Sequence, residues 1–306
     1  MKNILITDSL FIFPEHEQKL RDAGFSVTRL DKPEATETEL IESIKGKDGY
    51  ILGGIEKLTN PIIDAADNLK AIVFTGIGYK DFIPNWEYVT EKGIAIANTP
   101  DGPTNSVAEW AITMALAMNR NIFDLGRVGE KKFLTTTGIQ NQHIGIIGMG
   151  RIGSEIANMI SVFKPASISY YSKNKHDNDF EFKEMNDLLK ESDIVFICVS
   201  KDAGNNFVGK DELTLLKDSA LLVSFMADGI IDDNALLSEL KTGRIRAVSD
   251  HPINDDSVKD IPLDIWYSFN ASNAFNTFSG LKLTSDMATQ TMINLLSEKD
   301  DAYRVN

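Results

Sequence analysis

Three glycines with a fixed spacing are the residues of this sequence best suited to binding a ligand. Residues 143–159 read HIGIIGMGRIGSEIANM, in which Gly148, Gly150 and Gly153 form the pattern G-x-G-x-x-G. In such a pattern the first glycine permits a tight turn, the second lets the backbone approach a pyrophosphate, and the third lets a helix and a strand pack closely. The spacing therefore predicts a site for a phosphate-bearing dinucleotide.

The residues on either side of these glycines supply the context that such a site requires. Residues 144–147 form an apolar run typical of a buried parallel strand, and apolar residues then recur at helical spacing. A helix that starts at the glycines directs unpaired N–H groups and the positive end of its dipole at the phosphates, where an arginine side chain would also meet them. The predicted cofactor contacts in this turn are Gly148, Gly150, Arg151, Ile152 and Gly153.

The residues after the next predicted strand, 167–171, bear on which dinucleotide is bound. An NAD site has an acidic residue about 20 positions past the glycines, where it binds the ribose hydroxyls. Here the strand ends in YYSKNKH, which places Ser172 and Lys173 at this point and leaves the first carboxylate to Asp177. A hydroxyl and nearby cations suit a 2′-phosphate, so Ser172 and Lys173 favour NADP over NAD. The alternative is that the lysines of this loop are solvated surface charges.

Three further cofactor contacts are predicted near the ends of later strands in the same series. Val199 ends the predicted strand 193–199 and Ser200 follows it, while Asp250 follows the predicted strand 245–249. Parallel α/β sheets bind their ligands at the carboxyl ends of the strands. We therefore assign Val199, Ser200 and Asp250 to the cofactor site, and we assign no residue to a metal.

The composition excludes several classes of partner. The chain has 306 residues, enough for two domains, and 31 basic against 45 acidic residues give a net charge of −14, which argues against nucleic acid and anionic membranes. Apolar runs stay well short of the roughly 18 residues of a membrane span, and the first ten residues predict a strand rather than a signal peptide. The single cysteine, Cys198, is expected to be a buried core residue, and its isolation favours the cytoplasm.

The predicted elements form two series in which strands and helices alternate. The first series has strands at 2–7, 27–30, 50–52, 71–74 and 93–97, which indicates a parallel sheet covered by helices. A long apolar helix at 106–118, with Ser106 as N-cap and Glu109 completing a capping box, precedes a polar surface arm at 119–142. The second series begins at the glycine turn, includes a predicted helix at 182–189, and leads to a helix at 281–296.

Three stretches of the sequence resemble the D-isomer-specific 2-hydroxyacid dehydrogenase family. They are TGIGYKD at 75–81 continued by GIAIANTPDGPTNSVAEWA at 93–111, HIGIIGMGRIG at 143–153, and IIDDNALLSELKTGRIRAVSDHP at 230–252. The resemblance implies two Rossmann-like or flavodoxin-like α/β domains, each a doubly wound parallel sheet. It implies a substrate (catalytic) domain at 1–99 plus 275–306, to which the C-terminal helix returns, and a dinucleotide-binding domain at 100–274. It also implies a homodimer formed through the cofactor domain.

The resemblance implies that two of the three catalytic positions of the family are altered here. Hydride transfer to a 2-keto acid needs a cation for the substrate carboxylate, an acid for the developing alkoxide, and a carboxylate that orients this acid. The family uses an arginine, a histidine and a glutamate for these roles. The corresponding positions are Ala227 for the arginine, Asn270 for the histidine (Ser272 if the register shifts) and Asp255 for the glutamate. Interactions that strengthen in the transition state are therefore expected to be missing.

Other residues are candidates to replace the missing groups. His251, at the end of a predicted strand, is a candidate acid paired with Asp255, or else a loop histidine without a catalytic role. Lys80 lies in a loop that faces the substrate in the family and is a candidate cation, with Arg151 and Arg246 as weaker ones. The sequence thus predicts an NAD(P)-dependent oxidoreductase with atypical catalytic residues that reduces a small 2-keto acid or related carbonyl. The alternative is a catalytically impaired nucleotide-binding homologue that acts as a cofactor sensor or regulatory protein.

Overall fold

The computed structural model describes residues 1–7, 12–126, 133–225, 229–269 and 273–306, and the chain divides into two compact units. The first unit comprises Met1–Pro103 with Asn276–Asn306, and the second comprises Thr104–Phe275. Each unit is built on one sheet in which every strand pair is parallel. The predicted fold class, two α/β domains with doubly wound parallel sheets, is confirmed.

Strands and helices alternate along most of both units. The first unit begins with β1 (Asn3–Thr7), α1 (Pro14–Asp22), β2 (Ser26–Leu30), α2 (Glu37–Ser43), β3 (Gly49–Leu52), α3 (Asn60–Ala65), β4 (Ala71–Phe74), α4 (Tyr79–Phe82), α5 (Trp86–Glu91) and β5 (Ala95–Asn98). The second unit contains α6 (Thr104–Asn119), α7 (Ile122–Leu125), β6 (His143–Ile147), α8 (Arg151–Ser161), β7 (Ser167–Tyr171), β8 (Glu181–Phe182), α9 (Met185–Glu191), β9 (Ile194–Ile197), α10 (Lys210–Leu215), β10 (Leu221–Ser224), α11 (Asp233–Thr242), β11 (Arg246–Ser249) and β12 (Trp266–Ser268). The last helix, α12 (Phe278–Leu296), belongs to the first unit.

The sheet of the first unit has the strand order β2-β1-β3-β4-β5, so the order reverses between β1 and β3. Its central strands are apolar on both faces, as expected for a parallel sheet that helices cover on both sides. Side chains of α2, α3 and α5 cover one face, and side chains of α1 and α12 cover the other. Ligands bind at the carboxyl end of such a sheet, where the strand order reverses.

The helix α12 completes the first unit although it lies far along the chain. Its residues Ala288, Met292 and Leu296 pack against the face of the sheet that also carries Ile4 and Ile6. The helix also lies so close to the chain after β5 that a Cβ on Gly102 would overlap the hydroxyl of Thr284. The return of the C-terminal helix to the first unit, which the family resemblance implies, is therefore present in the structure.

The sheet of the second unit has the strand order β12-β11-β10-β9-β6-β7-β8, so the order reverses between β6 and β9. The helices α6 and α8 cover one face, with Ala111 and Ile156 in its core. The helices α9, α10 and α11 cover the other face, with Leu188, Leu213 and Leu236 in its core. None of the helices in the described part of either unit is long and apolar enough to cross a membrane.

Two local predictions are wrong. The predicted helix at 182–189 starts only at Met185, because Phe182 pairs with Tyr170 as part of β8 and packs its ring 5.6 Å from that of Tyr170. The predicted N-cap Ser106 lies inside α6, which begins at Thr104, and its side chain is buried. In the first case pairing with β7 determines where the helix begins.

We expect Gly102→Ala to destabilise the first unit. The added methyl group would overlap the Thr284 hydroxyl and lie 3.0 Å from the Thr284 Cα, so α12 or the chain after β5 has to move. Overpacking of this kind costs about 1–3 kcal/mol, which denaturant unfolding followed by circular dichroism would measure. Gly138→Ala is the control, because a Cβ there would meet no atom closer than 3.9 Å. Equal unfolding free energies for the two variants would contradict the expectation.

Candidate functional site

The glycine turn joins β6 to α8 at the point where the strand order of the second sheet reverses. Gly148 has a φ of +101°, and a Cβ there would lie 2.6 Å from the carbonyl oxygen of Cys198. A Cβ on Gly153 would overlap the carbonyl oxygen of Gly148. Neither position has room for a side chain, and the backbone conformation at Gly148 also disfavours one.

Gly150 differs from its two neighbours in the pattern because a Cβ there would meet no protein atom within 4 Å. Gly150 is the N-cap of α8, and the backbone N–H groups of Ile152 and Gly153 have no acceptor among the described residues. The turn thus combines open space with unpaired donors at the positive end of an 11-residue helix. This arrangement fits the pyrophosphate of a dinucleotide, which these backbone donors would hold.

The segment that faces Gly148 follows β9. A Cβ on Gly148 would lie 2.9 Å from the backbone nitrogen of Val199, and Ser200 is the N-cap of the 3₁₀-helix Lys201–Ala203. Val199 therefore lies against the glycine turn, as its assignment to the cofactor site requires. Cys198, which was expected to be buried, is only partly buried at the edge of the core, and desolvation raises the pKa of its thiol.

The loop after β7 carries the residues on which the choice of dinucleotide depends. The Tyr170 hydroxyl anchors the loop, since it accepts a 2.8 Å hydrogen bond from the backbone N–H of His176 and contacts the His176 carbonyl oxygen at 3.1 Å. The Ser172 hydroxyl donates to the carbonyl oxygen of Asn174, and Lys173 is exposed. The loop is thus anchored at its base and exposes its cations.

Asp250 is almost completely buried, and its carboxylate binds the backbone of this chain. Its oxygens accept hydrogen bonds from the N–H of Asn273 at 2.9 and 3.0 Å and from the N–H of Ala274 at 2.8 Å. Burial raises the pKa of the carboxyl group, while these two N–H groups and the charge of His251 act in the opposite direction. Asp250 thereby fixes the chain directly after residues 270–272.

His251 lies between two serines at the carboxyl ends of neighbouring strands. Its backbone N–H donates to the Ser249 hydroxyl at 3.1 Å, and its carbonyl oxygen accepts from the Ser268 hydroxyl at 3.3 Å. It lines a cavity of about 30 Å³ together with Ser224 and Trp266. Such a cavity has room for a water molecule but not for a keto acid.

Of the three positions that correspond to the family's catalytic residues, only Asp255 lies among the described residues. Asp255 is exposed and is the N-cap of the 3₁₀-helix Asp256–Asp260, where it accepts a 2.8 Å hydrogen bond from the N–H of Ser257. Hydrogen bonds from Ser257 lower the pKa of Asp255, which is therefore a carboxylate at neutral pH. Ala227 and Asn270 lie outside the described residues, as does Ser272.

The candidate cations have contacts of their own. The Lys80 ammonium lies 5.2 Å from the ring centre of Trp86 in the first unit. The Arg246 guanidinium donates to the Asn119 side chain at 2.8 Å and to the Ser219 carbonyl oxygen at 3.2 Å, and desolvation lowers its pKa. Arg246 therefore ties β11 to the end of α6 and to the loop before β10.

Sequence reasoning missed a buried polar cluster at the carboxyl end of the first sheet. Glu56 is 2% exposed, and its Oε1 accepts hydrogen bonds from the hydroxyl of Tyr50 at 2.7 Å and from that of Thr7. Burial raises the pKa of Tyr50, and the charge of Glu56 adds to this effect. The available signal was a threonine and a tyrosine within otherwise apolar strands, followed by an acidic residue in the next loop.

Unpaired backbone donors lie at the same end of the first sheet. The N–H groups of Gly54, Gly76, Ile77 and Gly78 have no acceptor among the described residues, and these residues follow β3 and β4. The side chains of Ile55 and Ile77 are 59% and 36% exposed. This edge therefore offers N–H donors for an anion beside apolar surface.

A model of the D-isomer specific 2-hydroxyacid dehydrogenase NAD-binding domain matches residues 112–272. Hydroxypyruvate reductase of Thermotoga maritima is 31% identical to this chain over 217 residues, which cover 68% of this chain and 70% of that protein. This chain belongs to the D-isomer-specific 2-hydroxyacid dehydrogenase family. The family resemblance stated from the sequence is thus confirmed.

Other known proteins match this chain over different extents. D-3-phosphoglycerate dehydrogenase of Methanocaldococcus jannaschii is 31% identical over 281 residues, which cover 86% of this chain and 51% of that protein. This chain therefore spans about half the length of that relative. A 2-hydroxyacid dehydrogenase from Ketogulonicigenium vulgare Y25 has a TM-score of 0.84 at 25% identity, with 100% of this chain and 99% of that chain covered. An acyclic imino acid reductase solved with NADPH and D-Arg has a TM-score of 0.88 at 22% identity over both whole chains and shows the shared fold alone.

We expect two glycine variants of the dinucleotide-binding turn to separate stability from ligand binding. Gly150→Ala places a methyl group in open space, so the protein should keep its unfolding free energy but bind the dinucleotide at least about tenfold more weakly. Gly153→Ala creates an overlap with the Gly148 carbonyl oxygen and should destabilise the second unit by about 1–3 kcal/mol. Calorimetric titration and thermal unfolding would measure the two effects. Unchanged dinucleotide affinity in Gly150→Ala would contradict the assignment of the turn.

Proposed function

We propose that this protein is an NAD(P)-dependent oxidoreductase of the D-2-hydroxyacid dehydrogenase type that reduces a small 2-keto acid or a related carbonyl compound. The observation that carries the proposal is the glycine turn, where Gly150 faces open space beside the N–H groups of Ile152 and Gly153. Relatives named glyoxylate reductase and hydroxypyruvate reductase support the class of substrate.

In this proposal the second unit binds the dinucleotide and the first unit binds the substrate. The bound dinucleotide supplies a hydride. The N–H groups of Gly54, Gly76 and Ile77 are suited to a small carboxylate, which a chain with a net charge of −14 has to attract by local donors. Asp250 holds the backbone at Asn273 and Ala274 in the second unit.

The source of the proton is the least conventional part of the proposed mechanism. Ala227 and Asn270 cannot supply the cation and the acid that the family uses, and Asp255 is a carboxylate held by Ser257. We assign the acid to His251, because it follows β11 at the carboxyl end of the sheet, where parallel α/β sheets bind their ligands. Lys80, an exposed lysine in the substrate-side loop, is the proposed cation.

A second candidate function is a nucleotide-binding protein that senses the redox cofactor or regulates a partner. The specific observation in its favour is the pair of replaced catalytic positions, Ala227 and Asn270. Loss of both groups removes interactions that strengthen in the transition state, while the scaffold and the glycine turn are kept.

We also propose a homodimer that forms through the second unit, in the cytoplasm. The side chains of Ile122, Phe133 and Leu134, which follow α6 in the chain, are apolar and exposed, and they support such an interface because exposed apolar surface marks association sites. The single cysteine supports a reducing compartment.

We expect the purified protein to oxidise NADPH or NADH with at least one member of a panel of 2-keto acids and aldehydes. His251→Ala should then lower kcat about 100-fold, since general acid catalysis contributes on this scale. His143→Ala is the matched control, because His143 is an exposed histidine at the start of β6. Unchanged turnover in His251→Ala would exclude this residue as the acid. Cofactor binding without turnover of any panel member would favour the sensor.

We expect the protein to bind NADPH more tightly than NADH. Lys173→Glu should weaken NADPH binding by about tenfold and leave NADH binding nearly unchanged, because it replaces a cation near the 2′-phosphate with an anion. Lys210→Glu, an exposed lysine at the start of α10, is the control. Fluorescence titration with both dinucleotides would give the affinities. Equal affinities, or tighter binding of NADH, would refute the preference for NADP.

A further inference from the structure

We propose that Glu56 is a positioning residue for substrate binding, which holds the turn at residues 53–55 so that the N–H of Gly54 and the side chain of Ile55 face the substrate. The positioning of the turn stands on the geometry of the first unit alone. The part that concerns substrate rests on the proposed function.

Glu56 forms a cluster of hydrogen-bonding groups with two strands. The hydroxyl oxygens of Thr7 and Tyr50 lie 2.8 Å apart, and both contact the Oε1 atom of Glu56. Thr7 is the last residue of β1, and Tyr50 lies in the neighbouring strand β3. One carboxyl group therefore ties the loop after β3 to both strands at the point where the strand order of the sheet reverses, which is where such sheets bind ligands.

Burial of the Glu56 carboxyl group is unfavourable for stability. Glu56 is 2% exposed, and it forms no ion pair within the described part of the chain. A buried carboxyl group with only neutral partners loses hydration that two hydroxyl donors restore incompletely. An apolar side chain would fill the same space without this loss. The presence of glutamate here points to a geometric requirement of the loop rather than to stability.

The Glu56 side chain also packs against the turn itself. Its Oε2 has no hydrogen-bond partner among the described residues and lies against Gly54, where a Cβ would overlap it. On either side the backbone is held as well, since the Gly53 N–H donates to the Thr7 carbonyl oxygen at 2.7 Å and the Ile55 N–H donates to the Pro33 carbonyl oxygen at 2.9 Å. The turn is thus supported at all three residues.

The burial of Glu56 also indicates that this residue positions the turn and takes no part in the reaction itself. A side chain that is 2% exposed and packs behind Gly54 does not contact a substrate bound at the exposed Ile55. Loss of the carboxyl group should therefore weaken substrate binding in the ground state and the transition state alike. That loss raises KM and changes kcat little.

The test uses the full chain with Glu56→Ala, the isosteric Glu56→Gln, and Glu87→Ala as an exposed control. Hydrogen exchange measured by mass spectrometry reports the turn without any substrate. We expect the amides of Gly53 and Ile55 to exchange at least about tenfold faster in Glu56→Ala, and at the wild-type rate in Glu56→Gln and Glu87→Ala. Tyr50→Phe, which removes one donor but keeps the ring, should accelerate the Ile55 amide by a smaller factor. It tests the same cluster if Glu56→Ala does not fold.

The kinetic arm uses NADPH and the 2-keto acid that gives the best turnover. Glu56→Ala should raise KM at least about tenfold with kcat within threefold, Glu56→Gln should restore the wild-type KM, and NADPH affinity should not change. Wild-type exchange at Gly53 and Ile55 in both Glu56→Ala and Tyr50→Phe would overturn the proposal. So would a loss of kcat at constant KM in both Glu56 variants, which would mark a proton-transfer role. If no keto acid is turned over, the proposed function fails while the exchange arm still decides whether Glu56 holds the turn.

Discussion

The second unit depends on a close approach between two backbone segments at the start of α8. The Cα of Gly153 packs on the carbonyl oxygen of Gly148, and Gly148 in turn lies against the carbonyl oxygen of Cys198 after β9. These contacts bring the helix start, β6 and β9 together where the strand order reverses. A methyl group at either glycine would separate the three elements, and the unpaired N–H groups of the helix would no longer face the open space beside Gly150. The ligand site and the packing of the sheet thus share one steric requirement.

The parts of the fold that could be predicted from sequence are those that local chemistry determines. Apolar runs such as ILIT and HIGII became strands, and Thr36 forms a capping box with Glu39, only three residues away, at the start of α2. The failure at Phe182 has a cause outside the local sequence, because Phe182 joins β8 by pairing with Tyr170. No pattern within a few residues encodes this pairing. The helix α6 begins two residues before Ser106, the predicted N-cap.

The parts of the candidate site also differ in whether the sequence could predict them. The glycine turn was predictable because three residues within six positions determine its shape, and the family resemblance located the altered catalytic positions. The clusters around Asp250 and Glu56 were not predictable, since Ala274 lies 24 residues from Asp250 and Thr7 lies 49 residues from Glu56 in sequence. Both clusters use a buried carboxyl group to hold a loop at the carboxyl end of a sheet. Which hydroxyl or N–H group meets such a carboxyl depends on strand order, and strand order is a property of the whole unit.

The position of α12 has a consequence for how the protein matures on the ribosome. One face of the first sheet, including Ile4, Ile6 and Val73, is covered by α12, which is synthesised only after the entire second unit. The second unit is continuous from Thr104 to Phe275 and can close its core during translation. Until α12 leaves the exit tunnel, α1 alone covers this apolar face of the first unit. Nascent chains stalled before residue 278 should therefore be the form of this protein that chaperones bind most strongly.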